Sequence, residues 1–302
     1  MRARHHTSAL IFLLAVAGPS LACAQSNQQA EPPSDAEISE RAAKLIAHQH
    51  ANDLAIEEYE RMERHVDRTG GSNARILEDK TYRVVPTGPG TMKILLKEND
   101  KPTDPAEIRK QLKTWRDLLE LALNPNDSRI KAAYAKAEKK KRDRAELVNA
   151  ARDAYTIKWL GRENLGGRDC DVIQLDPNPS FHPHSTFQEA LTHAKAKIWV
   201  DHNAIQIVRA EAHIIRDLSF GGGILGKLYH GGVFFFEQTE VAPGVWFPSR
   251  YQYDYTARKF LFTFEEHQFI EASHYRRLGP PKEALAIAQQ ELANAKPAAG
   301  DP

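Results

Sequence analysis

Apolar positions recur along the chain with two periods, and the changes of period divide it into segments. From Asp35 to about Ala51, Ile38, Ala42, Leu45 and Ile46 fall at helical spacing, with Ser34 and Asp35 available as caps. Residues 54–67, LAIEEYERMERHVD, fit either period. ARILEDKTYRVV and TMKILLK alternate as strands, set off by a turn at 69–73 and by the Pro86 to Gly90 connection, and predict a short antiparallel meander. Asp104-Pro105 then opens a helix in which Ile108, Leu112, Trp115, Leu118, Leu119 and Ala122 form one stripe, ended by Asn124-Pro125. A second helix follows from Ser128 to about Arg152. Its run AEKKKRDRAE is basic on most sides, which suits a solvated face first and an anionic or acidic partner second.

The second half alternates with period two. AYTIKWLGREN and DCDVIQL meet at Gly166-Gly167, a pair suited to the positive φ of a tight hairpin. AKIWVD and IQIVRAEAHIIRDL meet at His202-Asn203, GVFFFEQTEV and WFPSRYQYDY at Ala242-Pro243-Gly244, and KFLFTFEEHQFI follows Ala257-Arg258. Val208, Ala210, Ala212 and Ile214 share one side of their strand; so do Tyr251, Tyr253 and Tyr255, and so do Phe260, Phe262 and Phe264. The expected fold is α+β: a curved antiparallel sheet with a ring-rich face covered by the amphipathic helices.

The remaining features change this picture at the ends. Residues 1–24 carry Arg2 and Arg4, an apolar stretch from Ala9 to Ala17 and Ala22-Cys23-Ala24, the pattern of a secretory signal peptide cut after Ala24. Ser20-Leu21-Ala22-Cys23 offers lipidation of Cys23 as the alternative. Residues 25–34 read as a flexible segment, 35–280 as one domain with a helical insertion at 104–152, and 281–302 as a C-terminal helix and tail. No later stretch approaches the roughly 20 apolar residues of a membrane span. Loss of Arg2 and Arg4 turns the formal charge of +1 into about −1, so no basic field for nucleic acid exists. Cys170 is then the lone thiol of a cleaved chain, read as a small buried hydrophobe.

Two chemical motifs need weighing. Gly221 to Lys227 has the GxxxxGK spacing of a phosphate loop, but Leu228 stands where a hydroxyl should hold magnesium, and a strand follows instead of a helix. His182, His184 and His193 lie close enough in sequence to suggest a metal site, and with it a metal-dependent hydrolase as an alternative function.

AKIWVDHNAIQIVRAEAHIIRDLSFGGG resembles the strand–turn–strand of the LolA/LolB-like superfamily, in which a Trp-Val/Ile-Asp strand precedes one carrying a v-k-v-E pattern; here these are Trp199-Val200-Asp201 and Ile207 to Glu211. GRENLGGRDCDVIQLDPNP is similar to the preceding hairpin and GVWFPSRYQYDY to a later strand, so the resemblance spans about residues 54–275. It implies an incomplete antiparallel β-barrel closed by helices and a non-catalytic role, binding a hydrophobic small molecule or lipid in the periplasm or as a secreted protein, anchored through Cys23 in the lipidated alternative. No cofactor is implied, and an envelope protein is a further candidate partner. The ring-bearing rows make Trp199, Tyr251, Tyr253, Tyr255, Phe260, Phe262 and Phe264 the candidate lining. A structural envelope protein with a filled core is the third reading.

Overall fold

Ser34 accepts a hydrogen bond from the Glu37 amide while the Glu37 carboxylate takes one from the Ser34 amide, and this capping box starts helix α1 (Asp35–Ala55). The computed structural model describes residues 31–70, 74–220 and 226–295. The signal-peptide reading, both alternatives at Ala24 and Cys23, the glycines 221–223 and the tail past residue 295 lie outside the described residues. The ambiguous segment after α1 splits: α1 ends at Ala55, one 3₁₀ turn covers Ile56–Glu58, and strand β1 (Tyr59–Arg68) follows.

The meander continues with β2 (Ile76–Pro86), β3 (Thr91–Glu98) and the short β4 (Lys101–Pro102). Asp104 caps α2 (Pro105–Ala122) by accepting from the Ala106 amide at 2.7 Å, and Asp127 caps α3 (Ser128–Ala154) through the Arg129 amide at 2.8 Å. Then come β5 (Tyr155–Leu165), β6 (Arg168–Pro177), α4 (Thr186–Thr192), β7 (Ala194–Asp201), β8 (Ile207–Ile214), β9 (Leu218–Phe220), β10 (Gly226–Leu228), β11 (Val233–Ala242), β12 (Val245–Lys259), β13 (Phe262–Arg277) and α5 (Pro281–Asn294). Gly166 and Gly167 take φ of 60° and 86° in the β5–β6 turn, as their pairing predicts.

The strands form one antiparallel sheet in the order β4-β3-β2-β1-β13-β12-β11-β8-β7-β6-β5, with β9 and β10 joined to the far end of β12. Nothing among the described residues pairs β4 with β5, so the barrel is incomplete. Among the described residues six pairings hold an extra residue, among them Leu160 in β5, Val208 in β8 and Ser249 in β12.

Directly paired residues share a face, so register assigns the layers. His65 pairs with Ile270, Ile270 with Tyr251, Tyr251 with Phe236, Phe236 with Ala210 and Ala210 with Ile198, which puts all six on one face. Val85 and Ile94 point to the other. There α2 and α5 pack with them into a filled core of Leu112, Trp115, Leu119, Leu278, Ala284 and Ala288, with Trp115 fully buried and its indole N–H donating to the Pro86 carbonyl at 2.8 Å. The helix at 105–122 therefore does not cover the ring-bearing face. Its stripe is wide enough to need its own apolar partner, and β2 and β3 supply one on the opposite side.

Candidate functional site

The ring-bearing face is roofed at its β5–β8 end by α1 and α3, and between them lies a cavity of about 370 Å³. α1 contributes Ile38, Ala42, Leu45 and Ile46, and α3 contributes Val148 and Ala151. The floor is aliphatic: Ile157, Ile173, Leu175, Ile198, Val200 and Ile207, with Phe236 at the inner side. The sequence explains this row, because Ile173 and Leu175 alternate on β6 and Ile198 and Val200 on β7. The extra residue at Val208 breaks the alternation of β8. Ile207 lines the cavity, whereas Val208 packs on the opposite face with Trp199, Trp246, Cys170 and Val172.

α1 is held down by polar contacts. His48 Nδ1 donates to the Ile205 carbonyl at 3.0 Å, and buried Asn52 donates to Gln206 at 2.9 Å while accepting from the Trp246 amide at 3.0 Å. Arg41 Nη2 donates to Asp171 Oδ2 at 2.9 Å and to the His202 carbonyl at 2.8 Å. Asp171 lies in the lining and collects three more donors: His202 Nδ1 at 2.8 Å, and Trp159 Nε1 and Arg162 Nε at 3.1 Å each. Burial pushes its carboxyl up, but the hydrogen bonds from His202, Trp159 and Arg162 outweigh that and hold it below the ordinary carboxylate range. With four donors on two oxygens Asp171 has no lone pair left to act as a base.

The candidate residues read from the sequence are placed differently. Tyr251, Tyr253 and Tyr255 do share the cavity's face, in a row of rings that begins in its wall. Phe236 meets Tyr251 at 5.4 Å between centroids, Tyr251 stacks on Tyr253 at 6.1 Å, and Phe234 bridges Tyr253 and Tyr255 at 5.9 and 5.6 Å. Tyr255 reaches Phe264 at 6.5 Å. Tyr253, Tyr255 and Phe264 line a shallower, mixed groove with Phe220, Lys227 and Glu266, and none of the seven candidates lines the cavity under α1 and α3. Trp199 points to the opposite face, where its indole N–H donates to Glu163 and Lys197 and Arg209 lie over its ring. Phe260 occupies the β12–β13 turn at φ 55°, and Phe262 is 78% exposed. The turn falls past Ala257-Arg258 because β12 and β13 stay paired as far as Lys259 opposite Phe262. That leaves Phe260 outside any strand row.

Toward β1 the same face turns polar. Glu63 pairs with Arg61 and His65 at 2.7 Å each and with Lys93 at 3.7 Å. Burial pushes its carboxyl up, yet the His65 hydrogen bond and the Arg61 and Lys93 charges outweigh burial and hold it at about 2. Lys227 sits in β10 and pairs with Asp217 at 2.7 Å. Burial pushes the Cys170 thiol up to about 11. His182 and His184 precede α4 and His193 follows it. Among the described residues no group of three or more His, Cys, Asp or Glu is placed to hold a metal ion, so these three do not form one.

Sequence reading missed Arg41, Trp159 and Asp171. The available signal was positional: Asp171 sits on the Ile173–Leu175 side of β6, an acid in an otherwise apolar row, and Arg41 interrupts the Ile38–Ala42–Leu45 stripe.

No family model and no curated protein matches the chain. Its structure is similar to a domain assigned to outer membrane lipoprotein sorting from Vibrio parahaemolyticus, at 10% identity over 82% of this chain and 99% of that one, with a TM-score of 0.33. It is also similar to a LolA superfamily protein from Nitrosomonas europaea, at 12% identity over 81% and 96% with a TM-score of 0.31. A DUF1329 family protein from Desulfovibrio piger matches at 12% identity over 79% and 92%, TM-score 0.30. The likeness thus stands at 10–12% identity and TM-scores of 0.30–0.33. At that level it bears on neither ligand nor chemistry, which rest on this chain's own geometry. Among the described residues no helix is long and apolar enough to cross a membrane.

Proposed function

We propose that this chain binds a hydrophobic, lipid-like ligand in the cavity between α1, α3 and strands β5 to β8, and that it does so outside the cytoplasm after cleavage behind Ala24 or ahead of a lipidated Cys23. The observation that carries this is the lining: aliphatic side chains from two helices and four strands face about 370 Å³ of space, at the small end of the roughly 300–1,000 Å³ of small-molecule sites. Space lined mainly by aliphatic groups takes apolar guests, because binding removes apolar surface from water. The role is binding and not catalysis, because the one carboxylate among the described lining residues is saturated with donors.

The test is occlusion. Ala42→Phe puts a ring into the cavity from α1, so the variant should keep the wild-type circular dichroism spectrum and lose binding of the neutral dye 1-N-phenylnaphthylamine. Equal dye binding by a folded Ala42→Phe variant overturns the reading. Export is checked by mass spectrometry of the N-terminus, where the proposal requires Gln25 or a lipid-modified Cys23.

A further inference from the structure

The polar groups around this cavity are unevenly divided by sign. Its charged lining consists of Arg41, Arg144, Arg152 and Asp171. The carboxylates that pair with Arg144 and Arg152, Asp53 and Asp153, stand behind them and are not part of the lining. Asp171 cannot take up a ligand's donor, since both of its oxygens are filled, and it is shared by two guanidiniums, those of Arg41 and Arg162. His202 stands between Arg162 and Asp171, with Nε2 3.1 Å from Arg162 Nη2 and Nδ1 2.8 Å from Asp171 Oδ2. Among the described residues two more acids lie nearby: Asp169, 53% exposed and 3.7 Å from Arg162 Nη1, and the exposed Glu37 one turn before Arg41, whose carboxylate is held by Ser34 and also feels the Arg41 charge.

Arg41 is the informative residue. Both of its hydrogen bonds leave from Nη2, and its Nε and Nη1 have no hydrogen-bond partner among the described residues, although the side chain is only 27% exposed and borders an apolar cavity. A guanidinium presents its donors as a planar fork that matches the two oxygens of an acid group. Neither donor is shut off from solvent, so both are open to an acceptor that a ligand brings in.

Resting on the binding role proposed above, we infer that the ligand is a single-chain amphiphile with one terminal acid group, carboxylate or phosphate, whose chain fills the cavity and whose oxygens lie on Arg41. The size of the cavity suits one chain. The ring of arginines at its borders disfavours a cationic head and gives a neutral one nothing to pair with.

The experiment ranks head groups on one chain. Dodecanoic acid, dodecyl phosphate, dodecanol and dodecylamine are each titrated against 1-N-phenylnaphthylamine bound to the mature, delipidated protein. At least one of the two acids should displace the dye at a concentration about tenfold or more below dodecanol, which is the effect of about 1.4 kcal/mol, and dodecylamine should be the weakest. Whichever acid leads identifies the head group as carboxylate or phosphate. In Arg41→Met the ratio between acid and alcohol should fall to about twofold or less, and Arg41→Lys should restore part of it, as charge without the fork predicts. If Arg41→Met does not fold, the wild-type ranking decides alone. Equal displacement by the acids and dodecanol overturns the acid-head inference and leaves the apolar site standing. Failure of the dye and of all four compounds to bind removes both.

Discussion

The two helical layers of this protein stand on opposite faces of one sheet, and they are built on different terms. α2 carries Ile108, Leu112, Trp115 and Leu119 onto Val85 and Ile94, and the space between helix and strands is full. α3 is longer, yet only Ile130 and Ala154 of it are buried, and α1 buries only Asn52. The sheet beneath is aliphatic in both places, so the helices make the difference. Where a helix brings aromatic and large aliphatic volume, dispersion and burial seat it. Where it brings Ala42, Ala151 and Val148, it is seated instead by directional bonds at its edge, from Arg41, His48 and Asn52, and the middle stays open.

The largest effect expected is on the filled side. Trp115→Ala removes the fully buried indole and its bond to Pro86, and should cost about 3–5 kcal/mol in urea unfolding. A loss under about 1 kcal/mol would mean that the two layers do not differ in packing.

Next is the polar seam between them. Because its folded pKa is depressed, ionised Glu63 stabilises the fold above its ordinary value of 4.5, and that contribution disappears as pH falls from there toward about 2. The span corresponds to about 3 kcal/mol. Unfolding free energies measured down that window should show the fall in wild type and a flatter profile in Glu63→Gln.

Third, Leu45→Ala on the open side should cost about 1 kcal/mol or less while weakening dye binding severalfold, against about 2–5 kcal/mol for Leu112→Ala across the sheet. Enlarging space that is already empty forfeits few contacts. Similar losses from both would erase the comparison. Smallest is Phe262→Ala, whose side chain is 78% exposed, expected within about 0.5 kcal/mol of wild type and without effect on ligand binding.

Much of this architecture was legible in the chain itself. The caps at Ser34 and Asp104, the Gly166-Gly167 hairpin and the alternation of Tyr251, Tyr253 and Tyr255 were local signals with local causes. The site was not legible to the same degree. Alternation tells which residues share a face, and not which face a helix covers, so the ring-rich row drew attention away from the plainer Ile173, Leu175 and Ile198. Arg41 and Asp171 lie 130 positions apart, and only the folded chain joins them. Helix α4, Thr186–Thr192, spans just seven residues, too few for a helical period to show in the sequence.

Three of the extra residues in the sheet have a joint consequence. Leu160 stands opposite the step between Val172 and Ile173, which face Trp199 and Ile198; Val208 stands opposite the step from Trp199 to Val200; and Ser249 falls beside Glu237, the partner of Arg209. They lie at nearly one level across the strands. Each bends its own strand and adds twist, and aligned in this way they act as a scored crease across the sheet. Part of its curvature is thus written in chain length, and loss of one codon at any of these three positions would flatten the sheet locally without changing the character of a single remaining side chain.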